Sequence, residues 1–198
     1  GTSRDLNRDL CDLVQTQITN DLRRQADPKW TRRGMWNQRY FEAWVPRVPA
    51  MLLELMSHEN FADMRYGLDP RFGFMVGRAV YKGILRFISY EYAYPYIVQP
   101  LPVSHFAATF NNKRQAVLTW QAERDSLEPT ADARCFVVYK RIGNGDFDNG
   151  TVVRKATYTT DIPADQVVSF KVTALNDGGE SFPSEILSVG LNSQATDK

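Results

Sequence analysis

Two fold classes follow one another along this sequence. We predict an α/β class for residues 1–96, as a partial layered sheet with helices, and an all-β sandwich for residues 97–192, followed by a polar tail at residues 193–198. Near the N-terminus, apolar residues recur every four positions, which is typical of one face of a helix. "VPAMLLELM", residues 48–56, is an apolar run of strand length, as expected for a strand buried on both faces. In the second half, short alternating runs are separated by turn-rich segments, the pattern of a β-sandwich.

In the first half we expect a helix, a strand and a second helix. Pro28 ends the first helix, because a proline disfavours helical geometry in the residue before it. After the apolar run, Asp69 can cap the second helix, which Pro70 opens at its first position. The apolar stripe of the first helix comprises Leu6, Leu10, Val14, Ile18 and Leu22, and that of the second comprises Val76, Val80, Ile84, Phe87 and Ile88. Asp, Asn, Arg and Gln residues cover the opposite face of the first helix.

Composition excludes some classes of function. The chain has 198 residues, with Lys+Arg 24 against Asp+Glu 23, so its formal net charge is +1. A nucleic-acid binder needs a basic surplus for phosphate contacts, so we expect no nucleic-acid partner. No apolar stretch approaches the roughly 20 residues that span a bilayer, so we expect no membrane span. Cys11 and Cys135 fall in different predicted domains, and we expect both to be small buried apolar residues without a disulfide.

The second half resembles a fibronectin type III domain. "LTW", with Trp120, is similar to the second strand of that family, and "FVVYKR", with Tyr139, to the third. "FKVTALNDGGESFPSE" is similar to the sixth and seventh strands. One departure is the position of the corner tyrosine, which here is Val168, so another contact must hold that corner. The matching positions of the last two strands are Val172, Ala174, Asn176 and Gly179.

The first half resembles the C-terminal part of zinc-dependent N-acetylmuramoyl-L-alanine amidases, which hydrolyse the bond between sugar and peptide in peptidoglycan. The similarity lies in "RRG", residues 32–34, and in a strand of the pattern Pro-Ala-x-Leu-x-Glu. The matching positions of that strand are Pro49, Ala50, Leu52 and Glu54. The combination of both halves resembles a group of secreted Bacteroidetes proteins that carry the label xanthan lyase. The resemblance implies a secreted, periplasmic or cell-surface location.

Glu54 is the candidate catalytic residue. A charge inside an apolar run is costly unless it is paired, hydrated or chemically employed. In the amidase family the strand glutamate lies beside a zinc-bound water, takes its proton and passes it to the leaving amine. The carboxyl end of a buried strand suits that role, because desolvation there raises the pKa of a carboxyl. The alternative is a Glu54 side chain that reaches solvent at the sheet edge or pairs with an arginine.

The resemblance implies zinc for the full-length family, held by two histidines and a glutamate from segments N-terminal to this part. The sequence has two histidines, His58 in the first half and His105 on the first predicted strand of the sandwich. We therefore expect no cofactor in this chain and no hydrolysis by it alone. If part of the sheet is missing, the strand at residues 48–56 has an unpaired apolar edge. We expect a homodimer or pairing with an N-terminal part to cover it.

"DPKWTRRGMWNQRYFEAW" mixes tryptophans with four basic residues, three arginines and one lysine. Aromatic rings beside basic groups can stack on sugars, and arginines can bind the carboxylates of a glycan or peptide. The alternative is a crossover segment that buries its tryptophans, Trp30, Trp36 and Trp44, against the sheet.

Three functions remain open at this point. The first is the C-terminal portion of a cell-wall hydrolase whose full-length form is an amidase acting on peptidoglycan, with the fibronectin-like module as a spacer or docking surface. The second is a non-enzymatic carbohydrate-binding or adhesion protein. The third is association with a polysaccharide lyase, for which no residue spacing selects a base.

Overall fold

The computed structural model of the protein describes residues 4–190, so the predicted polar tail at 193–198 lies outside the described residues. The chain divides into two compact units, residues 1–96 and residues 97–198. In the first unit the described elements are four helices: α1 (Arg4–Gln25), α2 (Phe41–Trp44), α3 (Phe61–Gly67) and α4 (Pro70–Tyr92).

The two long helices lie where the sequence predicts them. α1 carries the predicted apolar stripe and ends before Pro28, with Leu10, Val14, Ile18 and Leu22 buried. The Asp69 side chain accepts a hydrogen bond from the backbone N–H of Arg71 at 2.9 Å and so caps α4, which Pro70 opens. α4 ends before Ala93, whose φ of 54° is left-handed and terminates helical geometry.

The core of the helical unit lies between α1 and α4. The helices approach closely at Gly83, where an added Cβ would lie 2.6 Å from Val14 Cα. A ring cluster closes one end of this core: Trp30 lies 5.5 Å from Tyr66 and 5.7 Å from Phe72, measured between ring centroids. The fully buried residues of the core are Leu10, Val14, Ile18, Leu22, Phe72, Ala79 and Phe87.

The strand predicted at residues 48–56 is not present, which corrects the α/β expectation for this half as far as residues 4–96 describe it. Residues 51–57 carry no regular secondary structure, and residues 4–96 contain no strand. A strand is defined by hydrogen bonds to a neighbour, and no described residue supplies one. The apolar run instead packs on the helical core through Met51, Leu55 and Met56, while Leu52 and Leu53 are 44% and 39% exposed.

The second unit is an antiparallel β-sandwich, as predicted. One sheet has the order β1-β2-β5, and the other has the order β4-β3-β6-β7 with β8 also pairing with β6. The strands are β1 (Ser104–Phe110), β2 (Ala116–Gln121), β3 (Cys135–Ile142), β4 (Thr151–Val153), β5 (Thr157–Thr160), β6 (Val167–Asn176), β7 (Gly179–Glu180) and β8 (Leu187–Gly190). A short 3₁₀ turn, Pro129–Ala131, precedes β3.

Aromatic packing joins the two sheets. The ring centroid of Trp120 on β2 lies 6.4 Å from that of Phe106 and 5.4 Å from that of Phe136. Both pairs are near edge-to-face, an arrangement that aromatic rings favour. Val168, which stands where the related family has its corner tyrosine, is fully buried in this core. Beside it, the N–H of Gly143 donates to the carbonyl of Val167 at 2.8 Å and ties the corner to the end of β3.

Asn176 anchors the segment that enters the sandwich. Its buried Nδ2 donates to the carbonyl oxygens of Val98 at 2.9 Å and Thr130 at 3.0 Å, and its Oδ1 accepts from the N–H of Gly178 at 2.8 Å. One side chain thus satisfies three backbone groups that no strand pairs. The start of the unit is thereby fixed to the end of β6.

The two cysteines are unpaired and only half-buried, so full burial was wrong for both. Cys11 lies on α1, and desolvation by burial raises the pKa of its thiol. Cys135 opens β3 in the second unit.

Candidate functional site

Glu54, the predicted catalytic carboxylate, is exposed in the irregular apolar segment. Among residues 4–190 it makes no hydrogen bond or ion pair, so no described group holds it in place. The strand-end cleft expected around it requires a sheet, and residues 4–96 contain none. Glu54 therefore has its side chain in solvent, as the alternative interpretation expected, but on an irregular segment and not at a sheet edge.

The residues after Glu54 serve the start of α3. The side chain of Asn60 accepts from the N–H groups of Ala62 and Asp63, and Asp63 in turn accepts from the N–H of Ser57 at 2.9 Å. His58 is exposed in the turn between these groups. Residues 57–63 thus form a capping structure, in which a short polar side chain accepts hydrogen bonds from the free N–H groups at the start of the helix.

The described residues do not form the zinc site of the related family. Residues 4–190 contain no group of three or more His, Cys, Asp or Glu side chains that could hold a metal ion. His58 and His105 lie in different units of the chain. Three protein ligands are the usual minimum for a catalytic zinc, so no step through zinc is derived from this chain.

A second candidate site is the aromatic–basic segment, which we define as residues 29–48. It contains five cationic side chains and one carboxylate, that of Glu42, although the whole chain is nearly neutral. Seven large apolar side chains of the segment are exposed: Met35, Trp36, Tyr40, Phe41, Trp44, Val45 and Val48. Exposed apolar patches bordered by charge mark binding surfaces in soluble proteins.

Hydrogen bonds to α1 hold this segment in place. Gln15 Nε2 donates to the carbonyl of Arg33 at 2.7 Å, and its Oε1 accepts from Arg32 Nε at 2.9 Å. Arg32 also forms an ion pair with Asp12. Further along the segment, Asn7 Nδ2 donates to the carbonyl of Ala43 at 3.4 Å. The segment has little regular structure, yet it is attached to the helix at several points.

The three tryptophans of the segment fall into two groups. Trp30 belongs to the ring cluster with Tyr66 and Phe72, which matches the prediction of buried tryptophans. Trp36 and Trp44 are 69% and 63% exposed, so they are not buried as the alternative expected, and stacking on a sugar stays a prediction. Sequence alone left both alternatives open for all three, and the structure divides them.

Each exposed tryptophan has an arginine beside its ring. The guanidinium carbon of Arg33 lies 5.9 Å from the Trp36 centroid, and that of Arg39 lies 5.4 Å from the Trp44 centroid. Such pairs are attracted by the negative face of the indole, with a free energy of about 0.5–1 kcal/mol at exposed sites. The two pairs place aromatic faces and fixed positive charge together on one segment.

The β unit carries a cluster that the sequence analysis did not single out. Phe147, from the loop after β3, lies near two cations on the sheet, 4.8 Å from Arg141 and 4.5 Å from Lys171 by ring centroid. Beside it, the Tyr139 hydroxyl donates to Glu180 at 2.6 Å, and this bond raises the pKa of Tyr139 to about 12. Tyr139 lies opposite Lys171 in the pairing of β3 with β6. That pairing is what brings the cluster together, and a sequence does not show which residues of two strands lie opposite each other.

Comparisons with known proteins bear on the fold. No protein-family model matches the chain, and no curated protein matches it. Among solved structures, the twitchin kinase region from C. elegans is 18% identical, with 50% of this chain and 18% of that chain covered and a TM-score of 0.43. A structure of titin domains is 19% identical, covering 48% of this chain and 33% of that chain, with a TM-score of 0.42. A myokine structure is 15% identical, covering 48% of this chain and 99% of that chain, with a TM-score of 0.40.

These similarities concern the fold alone. The β unit has a fibronectin type III-like fold, and its own strand order, with β1-β2-β5 facing β4-β3-β6, is the reason. This chain spans only a small part of the twitchin and titin structures, and function does not follow from a shared sandwich. None of the described helices is long and apolar enough to cross a membrane.

Proposed function

We propose that this chain is a non-enzymatic carbohydrate-binding protein that binds glycan through its aromatic–basic segment. The observation that carries the proposal is the pair of exposed tryptophans, Trp36 and Trp44, each with an arginine beside its ring. The fibronectin type III-like unit is the spacer that presents this segment. The ligand in our proposal is peptidoglycan or another glycan of a cell surface, and the location is secreted, periplasmic or cell-surface.

The physical basis is the amphipathic character of a sugar ring. Its C–H face is apolar and packs on an aromatic face, while its hydroxyl groups hydrogen-bond at the rim. A platform that is already held in position loses less conformational entropy on binding. Here the anchors at Gln15 and Asn7, which hold the backbone of the segment against α1, supply that positioning.

The test is sedimentation of the protein with insoluble peptidoglycan. Trp36→Ala with Trp44→Ala should weaken binding by about 10-fold or more, because two stacking faces are lost. Phe61→Ala is the matched control, since Phe61 is 87% exposed in the same unit but lies outside the segment. Unchanged binding of the double variant, or equal loss in the control, would reject the proposal.

The second candidate is the amidase function of the full-length protein, with Glu54 as its proton shuttle. The resemblance of residues 49–54 favours it, whereas the exposure of Glu54 does not supply the desolvated strand end that the role was expected to need. The test is release of peptides from peptidoglycan by the full-length protein. Loss of release in Glu54→Gln with one zinc per chain would support the hydrolase, and a metal-free, inactive full-length protein would support binding alone.

A further inference from the structure

We infer that the aromatic–basic segment selects carboxylated glycans, with Arg33 and Arg39 as the residues that bind the carboxylates. The inference rests on the proposed function, because it names the ligand class of the same site. It concerns specificity: the tryptophans supply the stacking faces, and the two arginines distinguish a charged polymer from a neutral one.

The cations of the segment have different structural roles. Arg32 is engaged by Asp12 and Gln15, so its guanidinium fastens the segment to α1. Arg33 and Arg39 are exposed, and among residues 4–190 no carboxylate lies within 4.0 Å of either guanidinium. Among residues 4–190, each of these two guanidinium groups lies beside a tryptophan ring and forms no ion pair.

The distances show that these contacts leave the arginines available. Arg86 in the same unit lies 4.2 Å from the centroid of Tyr96, which is close stacking. Arg33 and Arg39 lie 5.9 Å and 5.4 Å from their rings, so their contacts with the indoles are looser than that one. Because each guanidinium lies beside an exposed indole, a ligand that contacts the ring comes within reach of the N–H groups of the arginine.

The geometry of arginine favours a carboxylate. A guanidinium presents parallel N–H donors that match the two oxygens of a carboxylate, and these charge-assisted pairs are stronger than neutral hydrogen bonds. Charge complementarity supports the same ligand, since the segment has five cations against the single carboxylate of Glu42. A neutral glycan would offer these guanidinium groups only hydroxyl oxygens, whose hydrogen bonds are weaker than those of a carboxylate.

Carboxylates reach such a site from two sources, a uronic acid ring or the peptide stems of a cell-wall polymer. The first experimental arm measures the affinity for native peptidoglycan and for peptidoglycan whose carboxyl groups have been amidated. The second arm compares polygalacturonate with its methyl ester, in which the charge lies on the sugar ring. Dextran sulfate against dextran reports attraction to any polyanion.

The expected result is binding about 10-fold tighter to the carboxylate form in at least one arm, because hydrogen bonds to charged groups are the stronger ones. Arg33→Gln with Arg39→Gln should remove that preference while the binding to the neutral form stays. Arg33→Lys with Arg39→Lys should restore only part of it, since lysine keeps the charge without the paired donors. Arg65→Gln, an exposed arginine outside the segment, is the control.

The failures are distinguishable. Equal affinity for charged and neutral forms, with loss in the tryptophan variants, overturns this inference and leaves the proposed function standing. No binding to any polymer overturns both. A preference that dextran sulfate reproduces, or that Arg65→Gln removes equally, shows general attraction to polyanions and also overturns the inference. For every variant, a midpoint of thermal unfolding equal to that of the unchanged protein shows that the fold is intact.

Discussion

Lys82 and Asp21 form an ion pair inside the helical unit, and its removal is the most informative stability experiment. Lys82 Nζ lies 2.7 Å from Asp21 Oδ2, with the two side chains 2% and 5% exposed. Gln17 Nε2 donates to the other carboxylate oxygen at 3.0 Å, and Arg86 Nε donates to Gln17 Oε1 at 2.7 Å. Both oxygens of Asp21 are therefore engaged, in a network that links α1 to α4.

Asp21→Asn keeps the shape of the side chain and removes its charge, so the ammonium of Lys82 is left buried without a counter-ion. The expected cost is about 3–5 kcal/mol in the free energy of unfolding of the helical unit, the range for one partner of a buried pair. Asp21→Leu with Lys82→Met removes both charges and replaces them with apolar side chains. That double variant should lie within about 1 kcal/mol of the unchanged protein or be more stable.

The assay is urea unfolding followed by circular dichroism at the helix band. Asp12→Asn is the matched control: it breaks an ion pair with Arg32 whose side chains are 50% and 34% exposed, so its cost should be about 0–1 kcal/mol. A cost below about 1 kcal/mol for Asp21→Asn, or a double variant as unstable as the single one, would refute the reasoning that burial makes the unpaired charge expensive.

Three further predictions concern packing, pH and capping. Gly83→Ala should destabilise the helical unit by about 1–3 kcal/mol, because the added Cβ would lie 2.6 Å from the backbone Cα of Val14. Gly77→Ala is the control in the same helix: its Cβ meets no atom within 4 Å, so this variant should stabilise the unit by about 0.5–1 kcal/mol. The hydrogen bond to Glu180 raises the pKa of Tyr139 from 10.0 to about 12 in the folded state, so the stability that this bond contributes is present below pH 10 and is lost as the pH rises towards 12. The difference in unfolding free energy between the unchanged protein and Tyr139→Phe should therefore shrink over that interval. A difference that stays constant with pH would contradict the prediction. Asn176→Ala should destabilise the β unit by about 1–3 kcal/mol, since the carbonyl oxygens of Val98 and Thr130 lose their hydrogen-bond donor. Calorimetry of the unfolding of the β unit measures this loss. A loss below about 0.5 kcal/mol would contradict the prediction and would mean that water replaces the amide.

The elements predicted correctly are those whose signals are local. The four-residue recurrence in α1, the Asp69–Pro70 start of α4 and the alternating runs of the sandwich depend on neighbouring residues, and each is confirmed. The strand at residues 48–56 was wrong for the described chain. An apolar run predicts burial, but the same residues can be buried against helices or between strands, and a strand also needs a hydrogen-bonded neighbour.

The candidate site divides in the same way. The sequence showed that residues 29–48 combine aromatic and basic side chains, but it left their exposure open. Trp30 packs in the core and Trp36 lies at the surface, although both belong to the same short segment. Glu54 is an isolated charge in an apolar run of the sequence, and its catalytic role stays a prediction.

By itself, the sequence determined the position of α1, the start of α4 and that the second half is a sandwich, because periodicity, caps and turn residues act within a few positions of the chain. Only the tertiary structure decided that Asp21 and Lys82, both polar, are buried together and that Phe147 lies beside Lys171. Burial and pairing depend on which distant residues come into contact, and a linear pattern does not contain those contacts.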